Sequence, residues 1–327
     1  MSFEIFLDNI VYSIQKYGGA KTYWMELQKY FIEMPNVRII TQSENEYNEG
    51  PKKNKFIFEN LLPPSILRYL PLTKRLPARS LYHASYYRTC LQKNVVNIFT
   101  VHDFTHNKGY ASKFPRKLVH ITLTGLGLKN ADGIICISEN TKRDLMHYFP
   151  RIPENKIRVI YHGVSEDFFP IEKIEDNALA GSFKLDEPFA VFIGKRGGYK
   201  KFDVIPGAIK LSDNLKLAIV GGGPLSPSEV EDLEKTIPGR YIKIDSINNK
   251  DLNVLYNMAF ALIYPSIYEG FGFPVVEAMR AGCPVIATYL SSLPEVGGDA
   301  ALYINEVSSQ AIASNTFLLT SIKQVGA

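Results

Sequence analysis

The sequence predicts an α/β protein of two domains, each built around a doubly wound, mostly parallel sheet. Three observations lead to this prediction. The chain has 327 residues, of which 46% are hydrophobic, and this is enough for two domains of ordinary size. Short apolar runs alternate with helical patterns along its whole length. The alternation begins near Phe3 and restarts near Phe189, so the halves share an architecture without sharing residues.

The predicted strands are short and predominantly apolar, as expected for strands buried on both faces of a parallel sheet. In the first half they are residues 3–7, 37–41, 56–58, 81–83, 95–101, 133–138 and 157–160. In the second half they are residues 189–193, 215–220, 241–244, 260–264, 285–287 and 301–304. An acidic stretch marked by a proline, residues 165–176, separates the halves, so we predict domains at 1–166 and 167–327.

Several local signals between the strands predict loops and helices. The pair Gly18-Gly19 follows the first strand and precedes a helical pattern at 23–31, so backbone there could approach an anion at a helix N-terminus. Residues 61–77 are rich in proline and predict a surface loop with short helical pieces. Ser138 is predicted to cap the helix that follows it.

A polar pair, His102-Asp103, ends the predicted strand 95–101. The carboxyl ends of parallel strands are where open α/β sheets place their ligands, so His102 is a candidate site residue. The alternative is a histidine that only satisfies a neighbouring backbone group.

Two glycine-rich turns follow strands of the second half. After strand 189–193, Gly194 opens a loop that carries four cations, and this combination suits a diphosphate. The cations are Lys195, Arg196, Lys200 and Lys201. After strand 215–220, a turn centred on Gly222 allows another close approach of the backbone.

The stretch 261–292 predicts a strand, a loop, a helix and a second strand. Two carboxylates, Glu269 and Glu277, flank the turn Gly270-Phe271-Gly272. Amides at a helix N-terminus attract phosphate or sugar oxygens, whereas carboxylates accept hydrogen bonds from the vicinal hydroxyls of a sugar. The site therefore suits both ends of a nucleotide-sugar. The alternative is that Glu269 caps the helix and the glycines only turn the chain.

The formal charge of +4 is unevenly distributed. Residues 51–120 hold thirteen lysines and arginines but only two acidic residues, interleaved with aromatic and aliphatic side chains. This pattern favours contact with an anionic membrane or a pyrophosphate-linked lipid. The alternative is a solvated face. Nucleic acid is disfavoured, because no DNA-binding or RNA-binding motif accompanies the charge.

Cysteine usage and the absence of targeting signals predict a cytoplasmic protein that is soluble or peripheral to the inner face of the membrane. Cys90, Cys136 and Cys283 are widely spaced and odd in number, which indicates reduced thiols near the core rather than disulfides or a metal cluster. The N-terminus has no signal-peptide pattern, and no run of about 18 apolar residues occurs.

Seven motifs resemble those of the retaining GT-B glycosyltransferases of family 4. The most specific is PSIYEGFGFPVVEAMRAGCPVIAT at 265–288, which resembles the E-x7-E signature region of that family. The others follow in the order of the family and span nearly the whole chain. They are Gly18-Gly19, TVHDF at 100–104, ADGIICISENTKRDL at 131–145, HGV at 162–164, the loop 194–201 and LAIVGGGP at 217–224.

The resemblance implies a GT-B fold, in which two Rossmann-like domains face each other across a cleft. It implies that the first domain binds the acceptor and the second the nucleotide-sugar. By the same resemblance, Glu277 holds the ribose hydroxyls, while Glu269 and the amides of Gly270, Phe271 and Gly272 hold the transferring sugar.

The resemblance also implies how the phosphates are bound. Arg196 and Lys200 would neutralise the diphosphate, with Lys195 or Lys201 as alternatives. Gly18 and Gly19 would bring backbone to the phosphates, and His102 would approach the sugar near the bond that breaks. No Asp-x-Asp pair occurs in the sequence, so neither a carboxylate-held divalent metal nor another cofactor is indicated.

Members of the family usually continue beyond the last strand with helices that return across the first domain. Residues 305–327 predict about one helix, at 308–323, so we expect a shortened closing segment.

The predicted function is transfer of a hexose from GDP-mannose or a UDP-hexose to a saccharide acceptor, with retention of configuration. The acceptor is expected to be lipid-linked and to belong to the synthesis of a surface polysaccharide. A second hypothesis is a protein that binds sugar nucleotides without turnover. A dinucleotide-dependent oxidoreductase is disfavoured, because no Gly-x-Gly-x-x-Gly opens the first βα turn.

Overall fold

The structure is a computed structural model that describes residues 3–15, 18–42, 55–172 and 187–325. The chain forms two compact units, Met1–His162 and Gly163–Ala327. Each unit is an α/β structure with its own parallel sheet, which confirms the predicted fold class.

The first unit contains seven strands and five helices in its described residues. In chain order they are β1 (Glu4–Asp8), α1 (Ile10–Ile14), α2 (Gly19–Phe31), β2 (Val37–Thr41), β3 (Phe56–Phe58), α3 (Pro64–Leu67), β4 (Ser80–Ala84), β5 (Val95–Val101), α4 (Arg116–Asn130), β6 (Gly133–Cys136), α5 (Glu139–Tyr148) and β7 (Ile157–Val159). The strand order is β3-β2-β1-β4-β5-β6-β7, and all neighbours are parallel.

The second unit contains six strands and six helices in its described residues. They are β8 (Phe189–Ile193), α6 (Ile205–Leu211), β9 (Lys216–Val220), α7 (Pro227–Thr236), β10 (Tyr241–Ile244), α8 (Asn249–Met258), β11 (Ala261–Tyr264), α9 (Phe273–Arg280), β12 (Val285–Thr288), α10 (Leu293–Gly297), β13 (Leu302–Ile304) and α11 (Ser309–Val325). The order is β10-β9-β8-β11-β12-β13, again parallel throughout.

The second sheet separates two hydrophobic cores. Successive residues of β8 alternate between them, because side chains along a strand point to opposite faces. Phe189 and Val191 pack in one core, while Ala190 and Phe192 pack in the other. Burial on both faces explains why this strand is continuously apolar in the sequence.

Every predicted strand is present, with small shifts at the ends. The strand predicted at 133–138 ends at Cys136, because Ser138 already serves the next helix. Its hydroxyl accepts a hydrogen bond from the Thr141 amide and caps α5, as predicted. The short helix α3 lies within the proline-rich loop at 61–77, also as predicted. The three cysteines are buried, and none of them forms a disulfide.

Candidate functional site

Each sheet has one position where the strand order changes direction. In the first unit the chain runs from β1 outward to β3 and then returns to place β4 on the other side of β1. In the second unit β11 returns to the free side of β8 in the same way. Ligands of open α/β sheets bind at the carboxyl ends of the strands at such switch points. The predicted site residues lie mainly at these two places.

In the second unit, Lys200 and Glu269 meet at the switch point. Lys200 ends a 3-10 turn after β8, and Glu269 lies in the loop after β11. The Lys200 Nζ donates to Glu269 Oε1 at 2.5 Å and to the Tyr264 hydroxyl at 2.5 Å. The Tyr264 hydroxyl donates to Glu269 Oε1 at 2.9 Å. An ammonium, a phenol and a carboxylate therefore form one compact cluster, which we call the Lys200 triad.

Two serines hold the backbone around Glu269. The Ser291 hydroxyl accepts from the Glu269 amide at 3.0 Å and donates to its carbonyl at 2.6 Å. The Ser292 hydroxyl donates to the carbonyls of Glu269 and Phe271, at 3.0 and 2.8 Å. The loop is thus tied to the segment before α10, so the position of Glu269 depends on tertiary contacts.

Gly272 is the N-cap of α9 and has a φ of +106°, in the region that favours glycine. A Cβ at this position would lie 2.7 Å from the Leu293 Cδ2, so the turn has no room for a side chain. Gly272 has no side chain with which to cap the helix, and the Glu269 carboxylate forms an ion pair with Lys200. The Glu269 carboxylate is thus held by Lys200 and Tyr264 at the switch point.

Glu277 lies one helical turn into α9. The Tyr256 hydroxyl donates to its Oε2 at 3.3 Å. Burial of the carboxyl raises its pKa to about 7, and the Tyr256 hydrogen bond offsets only part of that rise. Each of the two predicted carboxylates is thus bonded to a buried tyrosine, Glu269 to Tyr264 and Glu277 to Tyr256.

Arg196 is placed differently from the phosphate-facing cation that the sequence predicts. Its Nε and Nη2 donate to the Glu229 carboxylate at 2.7 and 3.4 Å, and the Arg196 guanidinium holds the pKa of Glu229 at about 2. Its other hydrogen bonds go to the carbonyls of Gly221, Gly223 and Pro224. A guanidinium has five N–H groups, and these five bonds use them all. Arg196 therefore holds the glycine turn after β9, and its predicted role at the diphosphate stays a prediction.

The conformation and the close packing of this turn explain why position 222 is a glycine. Its φ is +74°, and a Cβ there would lie 2.5 Å from the Gly194 carbonyl oxygen and 2.8 Å from the Arg196 Nη1. The glycine turns after β8 and β9 therefore touch. Of the remaining predicted cations, Lys195 is exposed and Lys201 has a left-handed backbone at a φ of 52°. Of the four cations of this loop, Lys200 is the one that bonds to Glu269 and Tyr264 in the described structure.

In the first unit, the predicted glycine pair begins α2. Gly18 is the N-cap, with a φ of +143°, and Gly19 is the first residue of the helix. The helix is anchored to the end of β1 through Trp24, whose Nε1 donates to the Asn9 Oδ1 at 2.7 Å. The Asn9 side chain in turn donates to the Gln28 Oε1 at 2.5 Å. The helix N-terminus is therefore fixed next to the switch point.

His102 belongs to a cluster of aromatic rings at the same sheet edge. The Tyr23 ring lies 5.4 Å from the His102 ring and 4.6 Å from the His162 ring. The His102 Nε2 is buried, and no donor or acceptor reaches it within the part of the chain that the structure describes. The alternative interpretation, in which His102 only satisfies a neighbouring backbone group, requires a hydrogen bond that is not found at Nε2 in the described residues.

Burial sets the charge of this cluster. It lowers the pKa of His102 to about 4, although Asp103 acts in the opposite direction, and it lowers the pKa values of His83 and His162 to about 3. All three imidazoles are therefore neutral near pH 7. A neutral His102 can exchange hydrogen bonds with a ligand but carries no positive charge to a phosphate.

Five residues that position the site were not predicted from the sequence. They are Tyr256, Tyr264, Ser291, Ser292 and Tyr23. Only Tyr264 carried a usable signal, since a tyrosine that ends an otherwise apolar strand places its hydroxyl at the sheet edge.

Comparison with known proteins agrees with the motifs and the fold. A family model described as Glycosyltransferase Family 4 matches residues 17–168, and one described as Glycosyl transferases group 1 matches residues 174–316. The chain belongs to the family 4 glycosyltransferases with the GT-B fold.

Among curated relatives of this glycosyltransferase chain are two bacterial mannosyltransferases. O-antigen chain mannosyltransferase B of Escherichia coli is 27% identical over 228 residues, which are 67% of this chain and 58% of that protein. O-antigen chain mannosyltransferase RfbU of Salmonella typhimurium is 29% identical over 211 residues, which are 63% of this chain and 56% of that protein. The chain thus spans about half the length of the curated relatives that it matches.

A solved structure supports the fold. HepE of Anabaena, in complex with UDP-glucose, aligns with a TM-score of 0.73 at 14% identity, over 99% of this chain and 91% of that one.

The described residues contain neither a metal-binding cluster nor a membrane-spanning helix. No group of three or more histidine, cysteine, aspartate or glutamate side chains there could hold a metal ion. In the same residues, no helix combines the length and the apolar character needed to cross a bilayer.

Proposed function

We propose that this chain transfers a hexose from a nucleotide-sugar, GDP-mannose or a UDP-hexose, to a saccharide acceptor in the synthesis of a surface polysaccharide. The observation that carries the proposal is the Lys200 triad at the switch point of the second sheet. It combines a cation with a carboxylate that can accept sugar hydroxyls. The mannosyltransferase relatives support a mannose donor, and the UDP-glucose bound to HepE supports a UDP-hexose.

The proposed sugar transfer depends on stabilising the charge of the leaving group, and no enzymatic nucleophile is assigned. The bond between the anomeric carbon and the phosphate oxygen breaks, a bond to an acceptor oxygen forms, and the acceptor hydroxyl loses its proton. Negative charge grows on the departing nucleoside diphosphate, so a fixed ammonium binds it more strongly as the reaction proceeds. Lys200 supplies that ammonium, and Glu269 accepts hydroxyl groups of the transferring sugar. Retention of configuration is proposed from the family alone.

The remaining site residues keep their predicted roles within this proposal. Glu277 holds the ribose hydroxyls, and Gly270, Phe271 and Gly272 offer backbone to the sugar. Gly194 and Gly222 let the two glycine turns approach the phosphates closely. His102 stays a candidate for contact with the sugar, as a neutral imidazole.

We expect the Lys200→Met variant to release nucleoside diphosphate at least about a hundredfold more slowly than the wild type, because it lacks the charge that stabilises the leaving group. The measurement is release of GDP from GDP-mannose and of UDP from UDP-glucose by the purified protein, with mono- and oligosaccharide acceptors. Lys210→Met is the matched control, since Lys210 is an exposed lysine of the same unit.

The assay also tests the competing function. Binding of a sugar nucleotide without release of nucleoside diphosphate would favour a protein that binds its ligand without turnover. Equal rates for the wild type and Lys200→Met would remove Lys200 from the proposed machinery.

We also propose that the acceptor is lipid-linked and that the first unit contacts an anionic membrane. An exposed apolar patch lies on α4 and the loop before it. We call it the α4 patch, and its members are Phe114, Leu118, Val119 and Leu126. Leu118 and Leu126 are two turns apart on one helix face, and Phe114 is 83% exposed.

Basic side chains accompany the α4 patch. Lys113, Arg116 and Lys117 lie at the start of α4, and Lys129 lies at its end. An apolar strip with cations at its border is the pattern of helices that lie in the headgroup region of anionic bilayers. Of the basic region predicted at 51–120, residues 51–54 lie outside the described residues. Within this proposal the membrane contact is the α4 patch, which begins inside residues 51–120 and extends to Leu126.

We expect the double variant Phe114→Ser/Leu118→Ser to bind vesicles containing phosphatidylglycerol at least about tenfold more weakly than the wild type, because two apolar anchors are removed. The measurement is co-sedimentation with phosphatidylcholine vesicles with and without phosphatidylglycerol. Phe317→Ser is the control, since Phe317 is exposed on α11 of the other unit. Unchanged binding of the double variant would exclude the α4 patch as the membrane contact.

A further inference from the structure

Tyr264 is the residue of the Lys200 triad to which no role has been assigned. It is the last residue of β11, it is 1% exposed, and its ring packs in the core that includes Val275 and Ala287. Its hydroxyl accepts from Lys200 and donates to Glu269. Burial, with the nearby Glu269 charge, raises the pKa of Tyr264 well above its usual value, so the hydroxyl keeps the proton that it donates.

The other two members of the triad face conflicting demands when a donor binds. Lys200 neutralises Glu269 in this structure, and a diphosphate carries more negative charge than one carboxylate. An ammonium drawn to the phosphates loosens its hold on Glu269. Glu269 is then a carboxylate on a flexible side chain, and it needs another partner to stay in one orientation.

Tyr264 meets that need because its own position does not depend on the ligand. The ring is held by core packing at the end of a central strand, and the two strands that flank the switch point are in register, with Ala261 beside Ala190 and Leu262 beside Val191. The Tyr264 hydroxyl reaches the Glu269 Oε1 at 2.9 Å without help from Lys200. It is therefore a fixed donor next to a carboxylate that loses its cation.

We propose that Tyr264 is a positioning residue that holds Glu269 in place for the transferring sugar when Lys200 turns to the diphosphate. This inference rests on the function proposed above. In this arrangement Lys200 binds the phosphates of the donor, whereas Tyr264 acts on the transferring sugar through Glu269.

The test is calorimetry with Tyr264→Phe, which keeps the buried ring and removes only the hydroxyl. We expect affinity for the intact nucleotide-sugar, GDP-mannose or UDP-glucose, to fall about tenfold, because the carboxylate that receives the sugar is no longer oriented. Affinity for GDP or UDP alone should stay within about threefold, because Lys200 keeps its charge. A general structural defect would lower both affinities together.

Two further variants sharpen the result. Tyr241→Phe is the matched control, because the Tyr241 hydroxyl donates to Glu234 at 2.7 Å on the surface of the same unit. It should change neither affinity. In a Glu269→Ala background, Tyr264→Phe should have no additional effect, because there is no carboxylate left to position.

The outcomes separate this inference from the proposed function. A wild-type protein that binds no nucleotide-sugar would refute the proposed function and this inference with it. A wild type that binds the donor, together with a Tyr264→Phe variant that binds it equally well, would overturn the inference alone. So would equal losses for the nucleotide-sugar and the free nucleotide, or full additivity with Glu269→Ala.

Discussion

Replacing Arg88 with alanine is expected to lower the free energy of unfolding of the first unit by about 3–5 kcal/mol. The Arg88 Nη1 lies 2.8 Å from Asp8 Oδ2 and 2.7 Å from Glu59 Oε2, and its Nη2 lies 2.9 Å from Glu59 Oε1. All three side chains are 0% exposed. Without the guanidinium, the two carboxylates remain buried and have no cation beside them among the described residues, and this costs more than the ion pair contributes.

The single tryptophan of the chain makes this prediction easy to measure. Trp24 is fully buried in the first unit, so its fluorescence during denaturation by urea reports the unfolding of that unit. Arg38→Ala is the matched control, because Arg38 forms a partly exposed ion pair with Glu4 at 3.9 Å in the same unit. That change should cost at most about 1 kcal/mol. A loss for Arg88→Ala no larger than for Arg38→Ala would contradict the prediction.

The loss of stability caused by Arg88→Ala should be smaller at acidic pH. Burial acts to raise the pKa of Glu59, but the hydrogen bonds from Arg88 and Thr73 outweigh it and hold the pKa at about 2. In the wild type this group stabilises the fold above its unfolded pKa of 4.5, and the contribution is lost as the pH falls toward 2. Without Arg88, burial of the Glu59 carboxylate is opposed by the hydrogen bonds from Thr73 but by no contribution from the guanidinium, so protonation removes part of the cost of a buried charge. The difference between wild type and Arg88→Ala should therefore narrow below pH 4.5.

The affinity for the nucleotide-sugar is expected to rise with pH between about 6 and 8, because the ionised Glu277 carboxylate accepts hydrogen bonds from the ribose hydroxyls more strongly than the protonated group does. Its pKa is raised to about 7, so a large fraction is protonated at pH 6. Below the pKa, affinity should change by up to about tenfold per pH unit. Calorimetry across this range measures the profile.

Glu277→Gln should weaken binding at pH 8 and flatten the profile, because the amide does not titrate. Glu295→Gln is a suitable control, since Glu295 is a carboxylate of α10 outside the proposed site. A wild-type profile that is flat between pH 6 and 8 would exclude Glu277 as the titrating acceptor.

The same pKa predicts an effect of the opposite sign on stability. The pKa of Glu277 in the folded state lies above the unfolded value of 4.5, so the native protein binds the extra proton between pH 4.5 and about 7. This contribution is complete below pH 4.5 and is lost as the pH rises through 7. The slope is at most about 1.4 kcal/mol per pH unit. Donor binding and the stability of the unbound protein therefore respond to pH in opposite directions.

The strands and their order of appearance were predictable because burial leaves a direct trace in sequence. A central parallel strand such as β8 must be apolar at every position, since it faces a core on each side. The cap at Ser138 was predictable for a similar reason, because its hydrogen bond spans only three residues. Such features depend on the local chain and therefore appear in the local sequence.

The hydrogen-bond partners of Arg196 could not be predicted from the sequence. A cation in a glycine loop suits a diphosphate, and Glu229 suits a helix start, so nothing in either segment indicated that they meet. They are brought together because β8 and β9 are neighbours in the sheet, which places the two glycine turns in contact. The guanidinium then satisfies three carbonyls and a carboxylate that are 25 to 33 residues away in sequence.

The sequence by itself determined the two parallel-sheet units, the family, and the identity of the groups that gather at the second switch point. Glu269, Lys200 and the glycines are chemically suited to a nucleotide-sugar wherever they lie, and their order along the chain is that of the family. Only the tertiary structure decided which cation lies beside Glu269 and which neutral groups hold the carboxylates. The reason is that strand order and burial decide which hydrogen-bond partners, such as Tyr264 and Tyr256, the carboxylates meet. Strand order and burial depend on residues that are distant in the sequence, so they cannot be predicted from the neighbouring residues.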